Sequence, residues 1–372
     1  MVTPAKAAGN IRELCSLGVP APTLLPDLLS ALRKLVPADY CAHLWADDRG
    51  ELCGGFIEQS GQDSHLQHYI DVFYNQREAE VTQGFTQAMW HAAPIRTEEE
   101  NLTVPWRAFV NHDYYQQVML PLGGLADCLK LVLRHHQRPL GTLLMVRTTR
   151  NSACRYTHQE RQRIATVYPH LCHAFSRAHD YDDSDIMDHA DTDPALLICD
   201  LNGAIHHLTA KARDLLYMLL NAHPSRYPGT RLSGQVPAAL APLLPRLHRI
   251  RDGLPTPPAC LELPTAWGRL QAAAHWLDGV APSAIAPLVA ITLTRRVPLP
   301  LLWWRRLSGH GLSHRQLQVA LLLMSGLPHT DIAARLGLGF TSVTSHARQV
   351  YLKMGVGSTQ QLRSTLFTLK SD

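Results

Sequence analysis

Nothing in the chain is long and apolar enough to cross a bilayer, which takes ~20 residues as a helix. The nearest run, Val280 to Thr294, contains Pro282 and Pro287 and ends at Arg295-Arg296. The opening thirty residues lack an unbroken apolar core and a cleavage site of the secretory kind. Eight cysteines are scattered so that no two form a C-x-x-C pair, which excludes a zinc knuckle or redox motif read from spacing. These absences predict a reducing, cytoplasmic setting with no membrane partner. The signatures G-x-S-x-G, H-E-x-x-H, G-x-G-x-x-G and the Walker loop are also missing, so no catalytic residues are assigned and an enzyme is not expected. Of 21 histidines, His65 with His68 and His170 with His173 have helical i, i+3 spacing. Neither pair has the third and fourth ligands that a closed metal site needs, so no metal is assigned. No cofactor is implied beyond an unknown small-molecule effector.

Acidic residues are almost absent from one end. From Trp303 onward only Asp331 and Asp372 oppose Arg305, Arg306, Arg315, Arg335, Arg348, Lys353, Arg363 and Lys370, a local surplus of six positive charges. The chain as a whole carries +4, so everything before Trp303 is at −2. A small basic unit on a slightly acidic body is the distribution expected when one end meets a polyanion.

Two composition breaks divide the chain. The stretch 180–193 holds seven aspartates and reads as a solvated linker. It lacks the glycine and closing glutamate of a calcium loop. Between Arg295 and Arg306, Pro298 and Pro300 argue against regular helix or central strand. The expected units are 1–180, 190–297 and 305–372. In the first, an apolar-periodic helix (Leu24–Leu35) precedes a strand (Ala38–Trp45) and a turn at Asp47–Gly50. Strands at Leu129–Arg134 and Gly141–Arg147 follow, then a helix from Thr157 to Phe175 opened by a Thr157/Glu160 capping box. That order resembles a GAF domain. The aromatics Trp90, Trp106, Tyr114 and Tyr115 are either plain core or the lining of a ligand pocket. The second unit opens on a hairpin, Ala195–Leu208, turned at Asn202-Gly203. A helix over Ala210–Leu220 comes next, and strands at Leu270–Leu277 and Pro287–Thr294 close the unit. It resembles a PAS fold. The proline-rich stretch from Asn221 to Pro264 has no assignment.

The last segment is the most specific. Ser313 and Gln316 have capping-box spacing ahead of a helix striped by Leu317, Ala320, Leu321 and Met324 and stopped by Gly326. Pro328 starts a second helix, with Ile332 and Leu336 on one face and Gly337 after it. A third runs from Phe340, with Val343, Ala347, Val350 and Met354 as its buried stripe, to Gly355. A fourth, from Thr359 to about Leu369, buries Leu362 and Leu366. A structural bundle shows the same periodicity. The spacing of Ala333, Gly337 and Val343 separates the two readings. A small residue where helices cross, a glycine in the turn and a branched lock on the next helix leave that helix projecting outward.

Residues 312–362 resemble the LuxR/NarL-type helix-turn-helix. The matching residues are Leu312, Ser313, Arg315, Asp331-Ile332-Ala333, Leu336-Gly337, Ser342-Val343-Thr344-Ser345-His346 and Lys353-Met354-Gly355-Val356. The chain departs from the family in Gln316 and Gln318, where glutamates are usual, and in Gly339, where a serine cap is usual. Thr344 and Ser345 stand at positions that are often basic. The resemblance implies base contacts from Thr344, Ser345 and Arg348, of which Arg348 alone can grip a guanine edge with two hydrogen bonds. It implies phosphate contacts from Ser342, His346 and Lys353, with Arg315 and Arg335 adding charge nearby. It also implies a homodimer joined through the fourth helix on an inverted repeat of double-stranded DNA, with RNA polymerase as a further partner. Trp303-Trp304 either stack on DNA or pack the reading head onto the body.

The fold expected is therefore α+β, with two α/β sensor domains (GAF-like, then PAS-like) followed by an all-α four-helix LuxR-type helix-turn-helix domain. The function expected is a one-component bacterial transcriptional regulator whose N-terminal domains sense a small-molecule or protein signal. Two rivals are an acyl-homoserine-lactone quorum-sensing receptor and a catalytic N-terminal half fused to a DNA-binding domain. The first is disfavoured by some 300 residues ahead of the head and by Trp106 and Asp113, which form no signature. The second is disfavoured by the missing catalytic constellation.

Overall fold

A computed structural model describes residues 3–58, 63–149, 155–176, 187–189, 195–220, 232–277 and 287–368. Most of the Asp-rich stretch, residues 278–286, and Lys370 and Asp372 lie outside these.

Two helices open the chain, α1 (Pro4–Ser16) and α2 (Ala21–Leu35). Leu24, Leu25, Leu28, Leu29 and Leu32 of α2 are buried to 1% exposure or less, which makes this helix a core element rather than a surface one. A first sheet follows, built from β1 (Tyr40–Ala46), β2 (Leu52–Ile57), β3 (Ile95–Thr97), β4 (Asp127–His135) and β5 (Arg138–Arg147). It is antiparallel in the order β2-β1-β5-β4-β3. The turn after β1 forms because the Asp47 carboxylate accepts from the amides of Arg49 and Glu51. Between β2 and β4 the chain lays short helices over one face of the sheet: α3 (Asp63–His68), α4 (Phe85–Met89), α5 (Glu98–Asn101) and α6 (Trp106–Asn111). The expected helix from Thr157 is two, α7 (His158–Ala165) and α8 (Tyr168–Phe175). The Thr157/Glu160 capping box is present, and Pro169 explains the break, since it has no N–H to continue a helix and suits the start of a new one.

The second sheet contains β6 (Met187–His189), β7 (Ala195–Cys199), β8 (Ile205–Leu208), β9 (Cys260–Thr265), β10 (Gly268–Leu277) and β11 (Leu288–Pro298). Its order is β8-β7-β11-β10-β9, with β6 also pairing with β11. Setting β6 aside, this is the strand order of the first sheet, a topological repeat with no counterpart in the residues. The hairpin at Asn202-Gly203 is as expected, with the Asp200 carboxylate accepting from the amides of Asn202 and Ala204. Helix α9 (Ala210–Leu220) follows it, and α10 (Leu243–Arg251) and β9 occupy the proline-rich stretch that carried no assignment.

Two expectations about the breaks are corrected. Part of the Asp-rich stretch is strand β6, paired with β11. At the second break there is no irregular linker, because β11 runs to Pro298 and α11 (Leu299–Ser308) begins at the next residue. Pro298 ends a strand and Pro300 lies in the first helical turn, two places where a missing N–H costs little. The remaining helices are α12 (His314–Met324), α13 (His329–Leu336), α14 (Phe340–Met354) and α15 (Thr359–Thr368).

One apolar cluster runs through the molecule. Trp267, at the β9–β10 turn, is fully buried and meets Trp45 edge-on and Phe56 tilted, so the second sheet plugs into the first. Arg295 ties the same junction, donating to the carbonyls of Trp267 and Thr23. Trp303 and Trp304 are buried in this cluster, which also takes in Leu317, Leu321, Leu362 and Leu366. Arg305 grips the Asp27 carboxylate of α2 with two hydrogen bonds of 2.9 and 2.8 Å. On α1, Gly9 lets His314 approach closely. The buried Glu13 accepts from Gln318 Nε2 at 2.7 Å and lies 3.4 Å from His314 Nδ1. A glutamate at 318 would set two carboxylates together there, which accounts for the glutamine.

Burial pushes the Glu13 carboxyl up to about 7, against smaller opposing effects of the Gln318 hydrogen bond and the Arg315 charge. The folded state then holds a proton between pH 4.5 and 7 that the unfolded chain has released. Stability from this group is complete below the unfolded value and is lost as pH rises through 7. Chemical denaturation of Glu13→Gln, followed from pH 5 to pH 8, is expected to show a flatter pH dependence than the parent, with the variant gaining most at pH 8.

Candidate nucleic-acid interface

The geometry of the C-terminal helices follows from where their apolar residues point. Helix α12 is apolar on two sides. The expected stripe of Leu317, Ala320, Leu321 and Met324 faces the cluster shared with the body. A second stripe, Val319 and Leu323, faces a small core with Ile332, Ala333, Val343 and Ala347. The sequence reading missed that second stripe, although Val319 and Leu323 are spaced four apart. The Ser313/Gln316 capping box is formed, and at the other end Arg363 donates to the carbonyl of Met324 at 2.9 Å.

Helix α13 begins after Pro328, which is its N-cap rather than a residue of its first turn. It ends at Gly337, whose φ of +62° lies in the left-handed region and lets the chain reverse into α14. The Leu338 amide donates back to the Ala333 carbonyl at 2.9 Å, closing the turn. Ala333 and Val343 are both buried in the small core, as the spacing argument requires of them.

Helix α14 is held by one side only. Val343, Ala347 and Val350 are buried at 1% exposure or less, whereas Thr344, Ser345 and Arg348 are exposed, as are Ser342, Gln349 and Leu352. Met354, expected in the buried stripe, is half-buried. Thr344 Oγ1 donates to the Phe340 carbonyl, which keeps its methyl and hydroxyl close to the helix surface. His346 is half-buried, and Arg315 and Arg335 are exposed. Arg315 donates to Gln318. Lys353 is exposed but engaged, donating from Nζ to the Gly311 carbonyl and to Gln316 Oε1, both at 2.9 Å. Gly339 caps α14 with backbone alone, without a side-chain hydrogen bond.

The fourth helix is also engaged. Leu362 and Leu366 are fully buried inside the chain, in the cluster shared with α11 and the body, and Arg306 donates to the Leu366 carbonyl. Of the aromatics read as core or pocket lining in the first unit, Trp106, Tyr114 and Tyr115 gather in one cluster around Phe109, and Trp90, 49% exposed, lies apart. Among the described residues no three His, Cys, Asp or Glu side chains converge as metal ligands, and no helix is long and apolar enough to cross a membrane.

Residues 310–365 match the family described as bacterial regulatory proteins, luxR family. The C-terminal domain is therefore a LuxR-type helix-turn-helix, and the chain carries the DNA-binding element of a transcription regulator. None of the curated proteins compared matches the chain. Among solved structures, the crystal structure of the E. coli DhaR(N)-DhaL complex aligns with 80% of this chain and 91% of its own, at 12% identity. Its TM-score of 0.19 is too low to bear on the fold.

The left-handed turn supplies a test of the geometry. Gly337→Ala adds a Cβ that meets no neighbour, so its cost is backbone strain alone, about 1 kcal/mol. Thermal unfolding is expected to show a small loss for Gly337→Ala and a smaller one for Gly337→Asn. Equal stability of Gly337→Ala and the parent would contradict the turn.

Proposed function

We propose that the chain is a one-component bacterial transcriptional regulator that acts in the cytoplasm and binds specific double-stranded DNA through α14. The observation that carries this reading is the one-sided anchoring of α14, inside the segment that matches the luxR family. Its free face offers Thr344, Ser345 and Arg348 to base edges. Ser342 and His346 flank them toward the phosphates, and Arg315 and Arg335 add charge. Lys353 serves as a phosphate contact only by exchanging its bonds to Gly311 and Gln316.

The units 1–180, 190–297 and 305–372 are proposed as a GAF-like sensor, a PAS-like sensor and the DNA-binding domain. The shared strand order of the two sheets supports that pairing, as does the cover of short helices over the first. With α15 buried against α11 and the body, dimerisation through α15 on an inverted repeat requires the head to release part of that packing. Signal in the sensor units would then act by shifting the balance between packed and released heads.

Arg348→Ala is expected to cost ~1–3 kcal/mol on a selected duplex and almost nothing on random DNA. Arg335→Ala is expected to weaken both alike and to lower the steepness of the salt dependence by about one. Fluorescence-anisotropy titrations at several salt concentrations separate the two. Equal losses for Arg348→Ala on both duplexes would remove it from base reading.

A further inference from the structure

Helix α14 offers carbon where a DNA-reading surface more often offers charge. Among the described residues, its Phe340 and Leu352 are the two most exposed large apolar side chains, at 54% and 74%. Neither belongs to the stripe of Val343, Ala347 and Val350 that anchors the helix. Phe340 is the first residue of α14, and its ring rests against that of His329, the first residue of α13. The two centroids are 6.0 Å apart and the planes meet at 55°. That contact steadies the phenyl ring and leaves more than half of the side chain in water.

Thr344 follows Phe340 by four residues, so the two side chains are neighbours on adjacent turns. The Thr344 hydroxyl donates to the Phe340 carbonyl at 3.0 Å. Toward a base it therefore presents a methyl and an acceptor, with no donor. Phe340 and Thr344 together make a small apolar patch, and Arg348 stands one turn further along. In a helix-turn-helix the N-terminal residues of the second helix reach the base edges, and the patch occupies that end. Leu352 stands at the other end, about 18 Å from Phe340 along the axis.

A carbon surface selects one base. In the major groove adenine, guanine and cytosine present donors and acceptors, and a phenyl ring laid over them leaves those groups unpaired. Thymine presents its C5-methyl group. We infer that Phe340 and Thr344 read thymine through that methyl, beside the guanine assigned to Arg348. The inference rests on the reading of α14 as the DNA-contacting helix. Along the helix, Arg348 lies about 6 Å from Thr344 and about 12 Å from Phe340. At about 3.4 Å per base step, the thymines fall within about four base pairs of that guanine, on one side of it.

The test uses the full-length chain and the duplex it enriches from a randomised pool. Each thymine near the guanine is replaced in turn by deoxyuridine, which removes the methyl and leaves base pairing intact. Fluorescence anisotropy is expected to show about fourfold weaker binding at one or two of these thymines, the worth of one buried methyl-sized group. In Phe340→Ala the replacement at one of them should cost less than about twofold, because the ring that met the methyl is gone. Thr344→Ser should remove the effect at the thymine nearer the guanine. Leu352→Ala should keep the full effect throughout. A Phe340 ring that only props α14 on α13 gives another pattern, in which Phe340→Ala weakens thymine and deoxyuridine duplexes by the same factor. That pattern would overturn the proposal, as would deoxyuridine tolerated at every position or an enriched motif with no thymine within about four base pairs of the guanine. In each of those cases the regulator reading stands. A folded chain that enriches no motif refutes that reading, and the thymine assignment with it.

Discussion

The arrangement depends on a small apolar core in which Val319, Leu323, Ile332, Ala333, Val343 and Ala347 meet. Burying a Val, Leu or Ile side chain is worth about 1.5–3 kcal/mol, so the four of them here, with Ala333 and Ala347 allowing close approach, help fix two short helices that would not be stable alone. The core holds α14 from one side. Val343, Ala347 and Val350 take the packed face of α14, while Thr344, Ser345 and Arg348 stay in water, as do the side chains of Phe340 and Leu352. A reading surface is a consequence of that asymmetry. Gly337 supplies the backbone conformation that lets the two helices meet at the required angle.

The second dependence is the way the head is joined to the body. Helix α12 serves two cores at once, so any movement of the head must open the larger cluster along Leu317, Ala320, Leu321 and Met324. The polar contacts at this seam are few and directional. Arg305 on Asp27 and Gln318 on Glu13 both reach back to the opening helices. Those helices also touch the second sheet, where Thr23 donates to the Ala266 carbonyl. Helices α1 and α2 therefore touch both sheets and the C-terminal helices. A change in either sheet reaches the C-terminal helices most directly through them.

What was legible in the sequence was local. The capping boxes at Thr157/Glu160 and Ser313/Gln316 and the turn at Asn202-Gly203 depend on residues within three or four positions of each other, and each is formed. The Ala333, Gly337, Val343 spacing is local in the same sense. Proline was read too strongly. Pro298 and Pro300 sit at a strand end and in a first helical turn, and neither prevents regular structure. Non-local pairings were invisible. Asp27 and Arg305 are 278 residues apart, and Arg96 stands opposite Lys130 only because β3 pairs with β4. The buried state of α15 was open for the same reason, because a stripe of Leu362 and Leu366 reads alike whether its cover is a partner or the chain itself.

The central claim is that the free face of α14 reads DNA sequence. Selection of a randomised duplex pool by the full-length chain, followed by sequencing of the bound fraction, tests it most directly. The account predicts convergence on one motif, in which a guanine is invariant in each half-site. A folded chain that leaves the pool unenriched through successive rounds would contradict it.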